Sequence, residues 1–388
     1  MTTADGVPAA GAAMAAKAVN ISDTGFGKVR FTTDLEGLYR CLLGLRTADR
    51  LLLETAFFQA EDFDALFDGT KAVSWEAYIP KGMGLRVSKV RTNRSKLSAE
   101  TSIQAIVHKA AAERLCTMYK TERLSENGPV AELRVYIEKD KVSLLLDLSG
   151  EPLFKRGYRK EGGIAPLRET TAAAILLLAN WRRKFPLYDP FCGSGTILIE
   201  AAMYAWDMAP GLGRRFALDG LLIADEELDY AVRRDLLGRI NFERTIRIYG
   251  SDSDARAAAI AKSNAERAYD IACSRTPVPG MSASQPNKIH LPFLPDIRAL
   301  PMEEARSPDE ETGFIITNPP YGKRLGEPGD AERIYERMPV LSLNFPGWKL
   351  AVITDHPGFE SFFGKKAGSC REITNGAIPS YFFQYEGL

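Results

Sequence analysis

Along the first 160 positions, segments with two different hydrophobic patterns follow one another. Some segments alternate apolar and polar residues, which is typical of strands, and others have apolar residues three and four positions apart, which is typical of helices. Residues 28–31 and 51–56 have the strand pattern, whereas residues 11–19 and 34–45 have the helical one. Two short strands with intervening helices are typical of a small α+β domain. We therefore predict a ferredoxin-like domain over residues 1–60.

A second block of the same style follows over residues 61–160. Helices and strands are predicted in mixed order in this block. The predicted helices are 62–67 and 102–119, and the predicted strands are 77–79, 85–88, 131–138 and 142–148. This block predicts a second, separate α+β domain.

The pattern changes after residue 160 to the regular alternation of an open, doubly wound α/β sheet, which predicts a third domain over residues 161–388. A helix at 167–183 precedes the first strand. Near the end of the chain, predicted strands at 371–374 and 377–384 flank Asn375-Gly376, a strong hairpin signal. Residues 276–286 and 303–311 are predicted surface loops.

Composition agrees with a globular chain of two or three domains, because 45% of its 388 residues are hydrophobic and 26% are charged. The 50 basic and 50 acidic residues cancel over the whole chain, yet residues 81–123 contain ten basic and only three acidic side chains. Such a local excess fits phosphate neutralisation, and a solvated helix face of mixed charge is the alternative. The candidate nucleic-acid-binding residues are Arg86, Lys89, Arg91, Arg94, Lys96 and Lys109.

Five widely spaced cysteines without a C-x-x-C pair argue against both a disulfide framework and a structural zinc site. The most apolar segment, residues 170–181, is shorter than the ~20 residues that a membrane span needs. We therefore expect a cytoplasmic protein without a metal ion.

A glycine-rich turn follows the first strand of the α/β domain and precedes a helix at 197–206. Gly193 and Gly195 permit a tight turn, and the helix N-terminus presents free N–H groups to an anionic part of a ligand. The spacing lacks both G-x-G-x-x-G and G-K-[ST], which excludes dinucleotide and triphosphate motifs. The candidate cofactor-binding residues of this turn are Asp189, Pro190, Phe191, Cys192, Gly193, Ser194, Gly195 and Thr196.

Acidic residues follow the next two predicted strands. Asp252 and Ser253 end the strand at 245–250, where a carboxylate can bind a ribose diol. Asp296 ends a strand predicted at 289–296, where a carboxylate could hold an adenine amino group. The alternatives are an N-cap for the helix at 255–268 and a simple loop aspartate.

The fourth strand, 313–317, runs into Asn318-Pro319-Pro320-Tyr321. An exocyclic amine of a nucleobase is a poor nucleophile until hydrogen bonds to its N–H groups favour tetrahedral geometry. The Asn318 side-chain oxygen and the Pro319 carbonyl can accept those bonds, and Pro320 adds no competing donor. Tyr321 offers a face for stacking of the base. We predict these four residues to be catalytic, with Asn318 also facing the cofactor, S-adenosylmethionine.

The chain resembles the THUMP-domain family of RNA guanine N2-methyltransferases, the bacterial group that acts on the 23S ribosomal RNA. Six segments carry the resemblance: residues 45–50, 153–159, 165–170, 189–196, 209–212 and 318–326. The resemblance implies a ferredoxin-like domain, a THUMP RNA-binding domain and a seven-stranded Rossmann-like methyltransferase domain. It also implies RNA as partner and places the basic excess in the THUMP domain.

Two positions depart from the family pattern. Residues 1–6 are too short and polar for the strand with which the family opens, and Lys323 stands where an acidic residue is common. Other functions remain open: methylation of adenine N6 in DNA or RNA, methylation of transfer RNA, and an inactive RNA-binding factor for ribosome assembly. A protein-glutamine methyltransferase is disfavoured, because it would carry a helical N-terminal domain.

Overall fold

The computed structural model describes residues 20–25, 27–160, 167–273, 294–308, 311–320, 329–376 and 378–388. They form two compact units. The first unit holds the described residues of Met1–Asp49, Leu153–Arg214 and Asp229–Leu388, and the second holds Arg50–Pro152 and Arg215–Leu228.

The first unit begins with an antiparallel pair, β1 (Asn20–Gly25) and β2 (Lys28–Thr32), followed by helix α1 (Leu35–Gly44). The side chain of Asp34 caps α1 by accepting a 2.7 Å hydrogen bond from the backbone N–H of Gly37. The predicted strand at 28–31 and helix at 34–45 are therefore confirmed. The helix predicted at 11–19 lies outside the described residues.

The C-terminal end of α1 lies against the backbone around Gly211 of the same unit. The N–H of Gly211 donates to the carbonyl of Leu43 over 2.8 Å. A Cβ atom at position 211 would lie 2.8 Å from the Leu42 oxygen and from the Leu43 Cα. Only glycine permits this approach of the two backbones.

The second unit contains a four-stranded mixed sheet. Its elements along the chain are β3 (Leu52–Gln59), α2 (Phe63–Lys71), β4 (Gly84–Asn93), α3 (Glu100–Tyr119), β5 (Val130–Glu138) and β6 (Lys141–Asp147). The strand order is β3-β6-β5-β4, with β4 and β5 parallel. Side chains of β5 are alternately buried and partly exposed, as expected for a sheet with one covered face.

Two sequence-based predictions differ from this unit. The strand predicted at 51–56 is present as β3, but it pairs with β6 and not with β1 or β2. The strand predicted at 77–79 is wrong, because Trp75–Ala77 form a short 3-10 helix. Trp75 is fully buried there, and its indole N–H donates to the carbonyl of Thr70 over 2.9 Å, which fixes the turn.

A seven-stranded sheet forms the centre of the first unit. Its strands are β7 (Leu187–Asp189), β8 (Ile248–Asp252), β9 (Asp296–Ala299), β10 (Phe314–Thr317), β11 (Lys349–Thr354), β12 (Ser369–Asn375) and β13 (Ile378–Tyr385). The helices after residue 160 are α4 (Glu169–Leu178), α5 (Thr196–Ala205), α6 (Glu226–Gly238), α7 (Ala255–Cys273), α8 (Asp330–Arg337), α9 (Val340–Asn344) and α10 (Phe359–Phe363).

The strand order is β12-β13-β11-β10-β7-β8-β9, and the five strands from β11 to β9 are parallel. The hairpin β12–β13 adds two antiparallel strands, as the sequence predicts. Asn375 is the last residue of β12 and pairs with Ile378, so the turn comes one residue later than the predicted Asn375-Gly376. All four side chains of β10 are buried, which explains why this strand is uniformly apolar up to Thr317. Parallel strands place their carboxyl ends, and the residues that follow, at one edge of the sheet.

Replacing Gly211 with alanine is expected to destabilise the protein by about 1–3 kcal/mol, because the new methyl group would overlap the α1 backbone. Thermal unfolding measured by circular dichroism should show a lowered Tm. Gly238→Ala is a matched control, since a Cβ there has nothing within 4 Å. Equal Tm values for the two variants would contradict the close packing at Gly211.

Candidate active site

The glycine-rich turn between β7 and α5 is held tightly by backbone contacts. Gly193 and Gly195 have φ angles of +53° and +83°, in the region that favours glycine. A Cβ at Gly195 would lie 3.0 Å from the Cβ of Ala261 on α7. The first turn of α5 therefore presents its free N–H groups beside a backbone that a ligand can approach closely.

The carboxylate of Asp252 fastens this turn to the end of β8. One carboxylate oxygen accepts from the N–H of Gly193 over 2.9 Å, and the other accepts from the N–H of Asp254 over 3.0 Å. On the far side of the turn, the Asn264 side chain donates to the carbonyl of Ser194 over 2.9 Å. Asn264 was missed in the sequence because it lies within a helix and outside any motif.

Asp189 ends β7 and is almost completely buried. Its Oδ1 accepts hydrogen bonds from the Thr317 hydroxyl over 2.6 Å and from the N–H of Phe191 over 3.1 Å. Burial raises the pKa of Asp189 to about 7, although these two hydrogen bonds lower it, and the negative charge of Asp252 adds to the increase. The carboxyl group therefore changes its charge near neutral pH.

Burial, together with the charges of Asp189 and Asp252, raises the pKa of the Cys192 thiol well above its usual value. The thiol stays protonated at neutral pH and is a weak nucleophile. Covalent catalysis through Cys192 is thus disfavoured, and the chemistry of this site is one of positioning.

Asn318, Pro319 and Pro320 follow β10 at the same edge of the sheet, as predicted. Asn318 is 9% exposed, and no donor from the described part of the chain reaches its buried side-chain oxygen. A buried acceptor of this kind costs free energy until a donor reaches it, which is expected of an oxygen that binds a ligand N–H. Tyr321 and Lys323 lie outside the described residues.

These segments surround one cavity of about 530 Å³. The predicted site residues that line it are Asp189, Phe191, Cys192, Gly193, Ser194, Thr196, Asp252, Ser253, Asn318 and Pro320. Pro190, Gly195 and Pro319 lie beside them in the chain but do not line the cavity. The volume and the mixture of apolar walls with a few polar groups are typical of a small-molecule site.

The prediction for Asp296 is wrong, because the residue begins β9 and does not end it. Asp296 lies opposite Tyr249 in the sheet and forms a 2.6 Å ion pair with the exposed side chain of Arg298. The acidic side chain beyond the carboxyl end of β9 is Glu303, which lines the cavity together with Arg337 and is paired with it. Glu303 was missed because residues 303–311 were predicted to be a surface loop, and Arg337 because it lies on α8, outside any motif.

Comparison with known proteins identifies the family. Residues 156–272 and 293–382 match the RMKL-like methyltransferase domain, residues 14–52 match the RlmL ferredoxin-like domain, and residues 60–147 match the THUMP domain. The chain belongs to the RMKL-like methyltransferase family. The predictions of family and fold class are thereby confirmed, whereas the domain limits 1–60, 61–160 and 161–388 stay predictions.

Individual relatives cover most of the chain. YpsC of Bacillus subtilis, named as an RNA methyltransferase, is 35% identical over 92% of this chain and 88% of its own length. The structure of the methyltransferase SMU.472, solved in complex with SAH, is similar to this chain with 32% sequence identity and a TM-score of 0.82. The match covers 100% of this chain and 97% of SMU.472. These findings confirm a methyltransferase that uses S-adenosylmethionine.

A further relative is the ribosomal RNA large subunit methyltransferase K/L of Syntrophotalea carbinolica. It is 34% identical over 95% of this chain, but the match covers 50% of the relative. This RMKL-like chain therefore spans about half the length of the K/L methyltransferases that it resembles.

The predicted RNA-binding residues of the RMKL-like protein lie in its second unit, and most of them contact carboxylates. Arg86 pairs with Glu132, Arg91 with Glu100, Lys96 with Glu61 and Lys109 with Glu113. Among the residues that the structure describes, Lys89 and Arg94 have no carboxylate partner. Partial burial lowers the pKa of Lys89, and the charges of Arg91, Arg134 and Arg50 lower it further.

Within the described ranges, no group of three or more His, Cys, Asp or Glu side chains could hold a metal ion. The same ranges contain no helix that is both long and apolar enough to cross a membrane.

Replacing Asp189 with asparagine is expected to stabilise the ligand-free protein above pH 7. A carboxyl with a raised pKa in the folded state loses stability as the pH rises from its unfolded value towards about 7, and this loss is complete above that pH. The gain in the variant is at most ~4 kcal/mol for such a shift. It is checked by urea unfolding at pH 5 and pH 8.

The measurement at pH 5 is the control for this comparison, because Asp189 is then mostly neutral and close in shape to asparagine. A difference in stability that stays the same at both pH values would mean that Asp189 does not titrate in this range.

Proposed function

We propose that this protein transfers the methyl group of S-adenosylmethionine to the N2 amine of a guanine in 23S ribosomal RNA. The observation that carries the proposal is the buried oxygen of Asn318, to which no described residue donates a hydrogen bond, at the cavity bounded by Gly193 and Asp252. A planar exocyclic amine supplies the N–H donor that this oxygen lacks. Ribosomal RNA as the substrate implies a cytoplasmic protein.

The cavity suits the cofactor in three places. The N–H groups of the first α5 turn can donate hydrogen bonds to its carboxylate, since anions bind at helix N-termini. Asp252 keeps lone pairs for a ribose diol although its two oxygens already accept from the N–H groups of Gly193 and Asp254. The carboxylate of Asp189 lines the same cavity and attracts its positive charge. When bound, the cofactor supplies an activated methyl group, so no strong base is needed.

Asn318 and Pro319 hold the target amine. The side-chain oxygen of Asn318 accepts one N–H and the carbonyl of Pro319 accepts the other, which directs the nitrogen lone pair towards the cofactor. Pro319 and Pro320 have no backbone N–H to compete for the acceptors. We assign to Tyr321 the stacking of the base, on the strength of the motif alone.

The RNA substrate is supported by the THUMP match at residues 60–147 and by the names of the relatives, both YpsC and the large-subunit K/L protein. Guanine is proposed over adenine because of the K/L resemblance, since the Asn-Pro-Pro-Tyr chemistry suits either amine. Transfer RNA is the competing substrate of the same class.

The substrate is tested with purified protein, labelled S-adenosylmethionine and three RNAs: 23S RNA, 16S RNA and bulk transfer RNA, each from cells that lack the gene. Nucleoside mass spectrometry of the 23S sample should detect N2-methylguanosine. Detection of N6-methyladenosine, or incorporation only into transfer RNA, would contradict the proposal.

Asn318→Ala is expected to lower methylation by at least about 100-fold, a typical cost of losing one positioned hydrogen-bond partner at the reacting group. Affinity for S-adenosylmethionine, measured by calorimetry, should stay within about twofold, because the lost interaction is with the amine. Asn318→Asp retains an acceptor and should keep more activity than the alanine variant. Loss of cofactor binding in Asn318→Ala would contradict the assignment.

Replacing both Lys89 and Arg94 with alanine is expected to weaken binding of a 23S RNA fragment. The salt dependence should also decrease, by about one unit of the log–log slope for each lost phosphate contact. Filter binding at several salt concentrations measures both effects.

Lys109→Ala is the matched control for this pair, because Lys109 lies beside Glu113 on α3 and already has a carboxylate nearby. If the control changes the slope as much as the double variant does, the unpaired cations are not the contact surface.

A further inference from the structure

The hydroxyl of Thr317 links β10 to β7, two neighbouring strands whose carboxyl ends lie at the cavity. Thr317 is the last residue of β10 and directly precedes Asn318, and its hydroxyl donates to Asp189 on the neighbouring strand over 2.6 Å. Thr317 is 0% exposed and Asp189 is 1% exposed, so no solvent competes for this hydrogen bond. A short, dry hydrogen bond to a carboxylate is stronger than most.

We propose that Thr317 is a positioning residue for methyl transfer: its hydroxyl orients the Asp189 carboxyl group and favours its ionised form, so that this carboxylate can attract the positively charged cofactor. The proposal rests on the role given above to Asp189 and adds a residue outside the Asn-Pro-Pro-Tyr motif.

The geometry leaves the second oxygen of Asp189 for a ligand. Both hydrogen bonds, from Thr317 and from the N–H of Phe191, reach Oδ1. Within the described part of the chain, no donor reaches Oδ2, and Asp189 lines the cavity. Thr317 is thus placed to fix the carboxylate through one oxygen and to leave the other without a hydrogen bond from this hydroxyl.

Apart from the N–H of Phe191, the other surroundings of Asp189 oppose its negative charge. Asp252 at the end of β8, the Cys192 thiol and the Tyr188 hydroxyl are the titratable groups that interact with it. Of these, Asp252 is the group whose charge raises the pKa of Asp189 further. Thr317 provides the one side-chain hydrogen bond that lowers this pKa among the described residues. Without that hydroxyl, Asp189 should be neutral at pH 7.

A purely structural role for Thr317 is the alternative, because the same hydrogen bond also ties β10 to β7. Thr354 provides a matched comparison. It ends the adjacent strand β11, is likewise 0% exposed, and its hydroxyl bonds to the Tyr335 hydroxyl over 2.9 Å and to the N–H of His356 over 3.1 Å. Valine at either position removes a buried hydroxyl and keeps the shape of the side chain.

The test measures the affinity of the full chain for S-adenosylmethionine by calorimetry from pH 6 to pH 9, without RNA. Thr317→Val should bind about tenfold more weakly than the wild type at pH 7, the usual effect of losing a hydrogen bond to a charged group. At pH 9 its affinity should approach that of the wild type, because Asp189 is then ionised again. Thr317→Ser should keep the wild-type pH profile.

Thr354→Val should lower the Tm without shifting the pH dependence of binding. A Thr317→Val profile that is parallel to the wild type at every pH, or a serine variant that fails to restore it, would overturn the proposal. Thermal melting of each variant establishes that it is folded. Since the assay contains no RNA, its outcome is independent of which nucleotide is methylated.

Discussion

The parallel pairing of β7 with β8 on one side and with β10 on the other is the constraint on which the site depends. Parallel strands deliver their carboxyl ends to a single edge, so that Asp189, Asp252 and Asn318 meet although the chain separates them by more than sixty residues at each step. Hydrogen bonds from side chains then fix the backbone at this edge of the sheet. Asp252 holds the glycine-rich turn, and Thr317 holds the end of β7.

This arrangement buries polar groups at an unfavourable free energy beside the cavity. The oxygen of Asn318 is buried with no hydrogen-bond partner in the described ranges, and Asp189 is buried with a second carboxylate nearby. Each costs free energy in the ligand-free protein. The apolar sheet beneath, with β10 buried along its whole length, offsets those costs. In the proposed function, an amine and a cation relieve these costs on binding, so that part of the stability of the fold is exchanged for affinity at this edge of the sheet.

The sequence was sufficient to predict those parts of the site in which local chemistry determines structure. The glycines of the turn and the successive prolines after Asn318 restrict the backbone by themselves, so their places followed from the motifs. Asp296 could not be placed in the same way, because the register of β9 depends on pairing with β8. Glu303 was overlooked for the same reason, because the position of the acidic segment after β9 depends on the register of that strand.

The second unit, which contains the THUMP match, illustrates a second limit of sequence-based inference. A local excess of positive charge is visible in the sequence, but the partners of those charges are not. Glu132 reaches Arg86 from the neighbouring strand β5, and Glu61 reaches Lys96 from a position 35 residues away. A cation already next to a carboxylate gains less from a phosphate than an unpaired one does. The count of basic residues therefore overstates the surface available to RNA.

The two binding surfaces should consequently respond differently to salt. Contacts between exposed cations and phosphates release counterions and weaken as the salt concentration rises. The hydrogen bond between Thr317 and Asp189 is excluded from water, and its strength is little affected by screening. Asp189 lies on β7, the strand shared by the cofactor side at β8 and the amine side at β10. Salt should therefore act on the capture of RNA, whereas pH should act on the cofactor half of the site.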